Sequence, residues 1–180
     1  MEYPKLLTIS GSLRKGSYNR MLLKEAVNAF GPATVTNADL NLPLYDGDIE
    51  NSEGIPARVQ LLADQIYEAD GIIISTPEYN KGISGVLKNA LDWVSRVPGN
   101  VLKGKPTVAM SAAAGRSGGE TALFMTLSCL SQYQVRLLLG PGVMVAGASS
   151  EFDENGSLKG ESYRNALKIR MRALHDEICG

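Results

Sequence analysis

A loop with the composition of an anion-binding site follows the first apolar run of the chain. The run LLTIS leads into GSLRKGSYN (residues 11–19), which supplies serine hydroxyls, an asparagine amide and an arginine. A P-loop needs a lysine after its second glycine, but here Ser17 follows Gly16. The dinucleotide-binding pattern needs a second glycine two positions after the first, and none follows Gly11 at that spacing. The loop therefore predicts a phosphate site of a different kind.

The residue types of this loop suit a single phosphate monoester, such as that of a mononucleotide. The loop ends where a helix begins, and the free N–H groups and dipole at a helix N-terminus favour an anion. Ser10, Ser12, Ser17 and Asn19 add neutral hydrogen-bonding groups, and Arg14 adds a forked cation. The alternative is that Ser17 and Asn19 only cap the helix and that Arg14 is solvated.

A second loop, TPEYNKGISG (76–85), has the composition of a surface for a planar ring. It carries the aromatic Tyr79, the amide Asn80 and several small residues that let the backbone approach a ligand. Backbone N–H groups facing a flat ring, with an aromatic beside it, are what a flavin requires. Alternatively, Tyr79 is an ordinary surface or interface residue. Glu78 is a candidate general base, but a lone carboxylate on a loop is more often solvated.

A third loop, AAAGRSGG (112–119), places Gly115, Gly118 and Gly119 before a helix. It either closes over the polar edge of a ligand or is a flexible connection. The single histidine, His175, lies near the end of the chain, and no Ser-His-Asp or Cys-His arrangement is visible. An enzyme built from these residues must therefore use a cofactor for its chemistry.

Short apolar runs alternate with amphipathic segments along the chain, which is typical of a parallel sheet covered by helices on both faces. The run GIIIST is the clearest strand, because it is β-branched and bounded by Gly71 and Pro77. Five strands are predicted at 6–10, 34–40, 71–76, 105–113 and within 135–145, and five helices around 22–30, 59–66, 86–94, 120–130 and 161–178. This pattern indicates a doubly wound α/β fold of the five-stranded or the Rossmann kind, in which ligands bind beyond the carboxyl ends of the strands.

Length and composition predict one cytoplasmic domain over residues 1–180. The formal net charge is -1, which argues against a nucleic-acid-binding protein. No run approaches eighteen apolar residues and no signal-peptide pattern is present, so no membrane association is expected. Cys129 and Cys179 lack metal-site spacing, so no metal is predicted, and free thiols in a reducing compartment are favoured.

Two segments of the chain resemble a known family. GSLRKGSYN and TPEYNKGISGVLKNALDWVSR are similar to the signature segments of the NADPH-dependent FMN reductases, which include bacterial quinone, chromate and azo-dye reductases. LPLYD, GRSGG and FDENGSL extend the similarity over nearly the whole chain. The resemblance implies a flavodoxin-like three-layer sandwich whose five-stranded parallel sheet has the order 2-1-3-4-5, with FMN bound at its carboxyl edge.

The resemblance also assigns cofactor-binding residues, all in the three loops. Carried over by position, Ser12, Arg14, Ser17, Tyr18 and Asn19 hold the FMN phosphate, Pro77, Glu78, Tyr79 and Asn80 line the isoalloxazine, and Gly115 lies near its pyrimidine edge. No side chain is assigned a catalytic role. One departure is visible, since family members usually have proline where this chain has Ser84 before Gly85. A turn without that proline is expected to be less rigid.

The implied activity is that of an FMN-dependent NAD(P)H:acceptor oxidoreductase with a ping-pong mechanism. NADPH or NADH gives a hydride to FMN and leaves, and a quinone, azo compound, chromate or other oxidant then takes its place. The resemblance further implies a homodimer or homotetramer, and Trp93 either contributes to that interface or belongs to the core.

Three alternatives remain open from the residues. The first is a flavodoxin-type electron carrier with protein partners and no NAD(P)H turnover, against which the near-neutral charge and the second signature argue. The others are a binding module for a phosphorylated ligand and a nicotinamide-dependent dehydrogenase without flavin. The last lacks the expected glycine pattern in the first loop.

Overall fold

The computed structural model describes residues 2–180 and contains every strand and helix that the sequence predicts. The strands are β1 (Lys5–Ser10), β2 (Thr34–Asn37), β3 (Gly71–Thr76), β4 (Glu78–Tyr79), β5 (Gly82–Ile83), β6 (Pro106–Ala112), β7 (Arg136–Leu137) and β8 (Met144–Val145). The helices are α1 (Tyr18–Phe30), α2 (Gly47–Glu53), α3 (Ala57–Glu68), α4 (Gly85–Val94), α5 (Glu120–Ser131), α6 (Ala148–Glu151) and α7 (Glu161–Cys179). The unpredicted elements, β4, β5, α2 and α6, are all short.

The central sheet is parallel and has the predicted order. The strands run β2-β1-β3-β6, and both β7 and β8 pair with the outer edge of β6. Strand β7 pairs with the start of β6 and β8 with its end, so the predicted fifth strand consists of two short pieces in one position. The segment Gly140-Pro141-Gly142 lies between them, and proline cannot donate to a strand ladder.

Helices cover both faces of this sheet, which confirms the predicted three layers. On one face α1 and α7 pack over strand residues such as Leu6 and Ile73. On the other face α3, α4 and α5 pack over residues such as Leu7 and Ile72. Because β3 is covered on both sides, all six of its residues are buried, which explains its continuous apolar sequence.

Local capping signals determine where the first helices begin and end. Helix α1 starts after Ser17 and stops at Gly31, whose φ of 103° is readily adopted only by glycine. The unpredicted α2 starts after Asp46, whose carboxylate accepts a hydrogen bond from the amide of Asp48. No helix within residues 2–180 is long and apolar enough to cross a bilayer.

Trp93 holds the segment that contains α2 against α4. Its indole Nε1 donates to the carbonyl oxygen of Pro43 at 2.8 Å, and its ring meets that of Tyr45 edge-on at a centroid distance of 5.0 Å. Trp93 has no solvent exposure, so its assignment to packing within the chain is confirmed. Its side chain leaves no surface for a partner subunit.

Candidate functional site

Three loops meet at the carboxyl edge of the sheet and form the candidate site. The first loop (11–17) joins β1 to α1, the second (77–84) joins β3 to α4, and the third (113–119) joins β6 to α5. The amide of Gly11 donates to the carbonyl of Ser75 at 2.8 Å, which fixes the first loop against the end of β3. The predicted site residues are therefore brought together at one edge.

The first loop presents unpaired backbone donors at the start of α1. The amides of Gly16, Ser17 and Tyr18 make no backbone hydrogen bond within the described residues. Ser17 caps the helix, because its Oγ accepts from the amide of Asn19 at 3.2 Å, and its hydroxyl proton is left for another acceptor. Free amides at the positive end of a helix dipole form an anion site.

Ser12 and Arg14 extend this anion site towards solvent. Ser12 is buried, and its Oγ accepts from the amide of Arg14 at 3.4 Å, so its hydroxyl also keeps a proton to donate. Arg14 is exposed and forms no ion pair with any residue from 2 to 180. Neutral donors with one free guanidinium match the chemistry of a phosphate monoester.

Tyr18 turns its side chain away from the loop and into the core. Its ring stacks on that of Phe152, with centroids 5.8 Å apart and planes inclined by 15°. The residue therefore offers the site its backbone amide, and its side chain joins the loop to the segment after α6.

Asn19 connects the start of α1 to two strand ends through a buried network. Its Oδ1 accepts from the hydroxyl of Ser75 at 2.8 Å and from the amide of Ala112 at 3.0 Å. Its Nδ2 donates to the carbonyl oxygen of Ala112 at 2.9 Å. These bonds tie the start of α1 to the ends of β3 and β6 and leave one amide hydrogen of Asn19 without a protein acceptor in this network.

The second loop folds into a two-residue hairpin that follows the end of β3. Glu78 pairs with Ile83 and Tyr79 with Gly82, while the tip residues Asn80 and Lys81 have φ values of 49° and 62°. Positive φ at both central residues is the pattern of a type I′ turn, which matches the twist of a hairpin. Tyr79 is half exposed and Asn80 is exposed at the tip, whereas Pro77 at the base is buried.

Glu78 connects this hairpin to helix α5. Its Oε2 accepts from the amide of Ala122 at 3.3 Å in the first turn of α5, and its Oε1 lies 3.4 Å from the Nζ of Lys81. Burial alone raises the pKa of Glu78, but the hydrogen bonds from Ala122 and Lys81 outweigh burial, so this pKa lies below its ordinary value. The carboxylate is thus ionised at neutral pH and anchors the hairpin to α5.

The third loop is shaped by glycines that have different environments. Gly115 is exposed with open space around its Cα, and its carbonyl accepts from the amides of Gly118 and Gly147. Gly118 has a φ of 62°, and a Cβ there would lie 2.4 Å from the carbonyl oxygen of Met144. Only glycine fits at that position, so Gly118 determines how this loop turns against the segment that contains Met144.

The sequence carries no signal for the close approach of Gly11 to Ser84. A Cβ on Gly11 would lie 2.9 Å from the Oγ of Ser84, so the first and second loops touch here. Ser84 is fully buried and caps α4, because its Oγ accepts from the amide of Leu87 at 3.2 Å. The turn before Gly85, which lacks the proline usual in the family, is therefore stabilised by the hydrogen bond of this cap.

The arrangement offers donors for one phosphate monoester beside a hairpin that exposes an aromatic ring and backbone. The free amides before and in α1, the hydroxyls of Ser12 and Ser17 and the cation of Arg14 fit the phosphate of FMN. The half-exposed Tyr79 and the backbone of its hairpin fit a planar ring. The residues present are therefore compatible with FMN.

Comparison with known proteins identifies relatives along nearly the full chain. Residues 4–150 match the family model described as NADPH-dependent FMN reductase. An NAD(P)H-dependent FMN reductase of Pseudomonas aeruginosa is 40% identical over 172 residues, which cover 94% of this chain and 92% of that protein. A quinone reductase of Escherichia coli is 44% identical over 119 residues, which cover 64% of this chain and 63% of that protein.

A solved structure agrees with these relatives. The flavoenzyme NAD(P)H:(acceptor) oxidoreductase FerB from Paracoccus denitrificans superposes with a TM-score of 0.85 at 28% identity and covers 97% of both chains. The fold is therefore flavodoxin-like, as predicted. The chain belongs to the NADPH-dependent FMN reductase family, with FMN as its cofactor and NAD(P)H as its co-substrate.

Proposed function

We propose that this protein is an NAD(P)H:quinone oxidoreductase that works through FMN by a ping-pong mechanism. The observation that carries the proposal is the junction of an anion-binding helix N-terminus with an exposed aromatic hairpin at one edge of the sheet. Bound FMN would accept a hydride from NAD(P)H and pass the electrons on to the oxidant. Quinones are the acceptors that we favour, because a flat ring can occupy the place that the nicotinamide leaves. Azo compounds and chromate are the further acceptors to be assayed.

The residues of the chain have distinct roles in this proposal. The first loop binds the phosphate through Ser12, Arg14 and Ser17 and the free amides of α1. The hairpin presents Tyr79 and backbone groups to the isoalloxazine, and the loop at Gly115 faces its pyrimidine edge. No side chain is given a proton-transfer role, so the protein acts by binding, orienting and limiting access to the cofactor.

We further propose that the protein is a cytoplasmic homodimer or homotetramer. Phe124 and Met125 on α5 are 59% and 42% exposed, and the sulfur of Met125 would lie 3.7 Å from a Cβ on Gly82 of the hairpin. An apolar helix face beside the site fits a second copy of the chain. Cys129 and Cys179 are both free, which fits a reducing compartment. Sedimentation of the wild type and of Phe124→Ser tests whether Phe124 lies in the subunit interface. The wild type is expected to sediment as an oligomer and the variant as a smaller species. If both sediment as the same oligomer, this helix face is not the interface.

The test of the reductase is an anaerobic addition of NADPH, or of NADH, to the FMN-loaded protein. The flavin absorbance is expected to bleach rapidly and to return when a quinone is added. A protein that stays yellow with both nucleotides would instead be a flavodoxin-type electron carrier, and its protein partners would then be sought.

The phosphate assignment has a separate test in Arg14→Ala. Loss of one partly solvated charge-assisted hydrogen bond is expected to weaken FMN binding about 10-fold. The matched control is Arg172→Ala, which removes an exposed arginine paired with Asp176 on α7. An FMN affinity that Arg14→Ala leaves unchanged would contradict the assignment.

A further inference from the structure

A groove lies beside the first loop on the sheet face that α1 and α7 cover. Helix α1 packs mainly on β1, β3 and β6, and its outer side lines the groove together with the edge strand β2. The groove has a volume of about 590 Å³, which is in the range of small-molecule sites. Its floor includes Thr8 and Asn37, and its wall includes Arg20, Lys24 and Val27 of α1. Ser10 also lines the groove and is the one residue that it shares with the predicted phosphate site.

The first loop and the start of α1, which forms the wall of this groove, together carry more positive charge than one phosphate requires. Residues 14–24 contain four cations and no carboxylate. A phosphate monoester carries a charge of about -2, which Arg14 and Lys15 of the first loop can neutralise. Arg20 and Lys24, one helical turn apart, remain for another anion, and neither forms an ion pair within residues 2–180.

Arg20 lies at the junction of the two sites. Its Nε donates to the carbonyl oxygen of Ser12 at 3.3 Å, which fixes the guanidinium between the first loop and the groove. Its terminal N–H groups stay available to a ligand. Any ligand in the groove would therefore lie next to the phosphate end of the FMN site.

The floor and rim complete the chemistry of a nucleotide site. Thr8 donates to Oδ1 of Asn37 at 2.7 Å, which leaves the amide hydrogens of Asn37 for a ligand. Leu23, Val27 and Val35 add apolar surface that a base or ribose could cover. Asp39 is the one carboxylate of this lining, and it stands at the end of the groove, after β2.

We propose that this groove binds the 2′-phosphorylated adenosine end of NADPH and makes the protein prefer NADPH to NADH. The two nucleotides differ only by that phosphate monoester, which is the group that free cations would distinguish. The inference rests on the proposed function, because it requires the nicotinamide end of the same molecule to reach FMN. The negative charge of Asp39 repels the 2′-phosphate, whereas the positive charges of Arg20 and Lys24 attract it.

The kinetic test uses two substitutions with opposite expected effects. Lys24→Gln lowers kcat/KM for NADPH about 5-fold and changes that for NADH less than about 2-fold, because one partly solvated charge contact is lost. Asp39→Asn raises kcat/KM for NADPH about 2-fold by removing a nearby like charge. Lys103→Gln, just before the start of β6 and outside the groove lining, is the control for net charge and leaves the NADPH-to-NADH ratio unchanged. Equal effects of Lys24→Gln on both nucleotides would overturn the proposal.

A binding measurement that involves no turnover decides the same question. Calorimetric titration of the FMN-loaded protein with 2′-AMP is expected to give a heat of binding that Lys24→Gln weakens about 5-fold, whereas 5′-AMP binds less tightly. Equal binding of 2′-AMP and 5′-AMP, or 2′-AMP binding that Lys24→Gln leaves unchanged, would overturn the groove assignment. If neither NADPH nor NADH bleaches the flavin, the reductase proposal fails, and the 2′-AMP titration still reports on the groove by itself.

Discussion

Gly11→Ala tests directly whether contact between the first and second loops builds the site. A Cβ at this position would lie 2.9 Å from the Oγ of Ser84, 3.0 Å from the Oγ1 of Thr76 and 3.1 Å from the Cδ of Pro77. All three neighbours are buried, and each is a short or cyclic side chain that cannot swing aside. The φ of Gly11 is not in the left-handed region, so the expected effect is steric.

The magnitude follows from overpacking of a closed contact. Inserting one methyl group into a packed region costs about 1–3 kcal/mol, and three close contacts place this site near the middle, at about 2 kcal/mol. Relief of the clash moves the first loop away from the second by a few tenths of an ångström. Because both loops must contact one cofactor, we expect FMN to bind about 10-fold more weakly, equivalent to about 1.4 kcal/mol.

The assay compares two glycines of the same loop. Urea unfolding of the apoprotein measures stability, and quenching of flavin fluorescence measures FMN affinity. Gly16→Ala is the matched control, since a Cβ there has no atom within 4 Å, and its stability should change by less than about 0.5 kcal/mol. Equal losses of stability for the two variants would refute the steric argument.

A double-mutant cycle separates the contact from other effects of the methyl group. Ser84→Ala removes the nearest clashing atom together with the cap of α4, so by itself it should cost about 1 kcal/mol. In the Ser84→Ala background, Gly11→Ala should lower the free energy of unfolding by less than it does in the wild type. The double variant is then more stable than the sum of the two single effects predicts. Strict additivity would show that the Oγ of Ser84 is not the group that the methyl meets.

Three further substitutions test the connections between the loops. Asn19→Ala leaves buried donors and acceptors at the ends of two strands unpaired, so the free energy of unfolding in urea should fall by about 3 kcal/mol. An effect on FMN affinity without a loss of stability would contradict the structural role of Asn19. Glu78→Gln should cost about 1 kcal/mol at pH 7, because the amide of Ala122 loses a charged acceptor. The folded-state pKa of Glu78 is depressed, so its contribution is full above the ordinary value of 4.5 and disappears as pH falls through the lower folded value; the difference from the variant must therefore shrink in acid unfolding curves. Gly118→Ala combines a φ of 62° with a contact of 2.4 Å to a backbone carbonyl and should cost more than about 3 kcal/mol by thermal unfolding, with Gly115→Ala as the near-neutral control.

The strands and helices could be predicted because their signals are local. The β-branched run of β3 reports burial on both faces, and the stripe of Val59, Leu62, Ala63 and Ile66 reports the buried side of α3. The signals failed where a break interrupts a strand. The fifth strand position is filled by β7 and β8 on either side of a Gly-Pro-Gly segment, and only pairing with β6 shows that they share one place.

The first loop could be recognised as an anion site, but the tasks of its members could not be assigned from the sequence. A strand, a Gly-Ser loop and a helix start occur together in the sequence, which is enough to predict free amides. The partner of Asn19, however, is Ala112, 93 residues away, and the partner of Glu78 is Ala122, 44 residues away. Such distant pairs depend on the order of strands in the sheet, so residue type alone leaves open whether a polar side chain faces a ligand or braces the fold.

The predicted cofactor-binding residues fall into two groups. Some, which we call braces, contact other parts of the protein and hold the loops together, whereas others keep groups free to contact a ligand. The side-chain amide of Asn19 bonds to Ser75 and Ala112, the carboxylate of Glu78 bonds to Ala122, and the ring of Tyr18 stacks on that of Phe152. Arg14 and Tyr79 remain exposed. Because these bonds join protein groups to one another, the braces stabilise the loops themselves as well as the surface that FMN would contact. Substitutions of the braces should therefore change stability and cofactor affinity together, whereas substitutions of the free donors should change affinity alone.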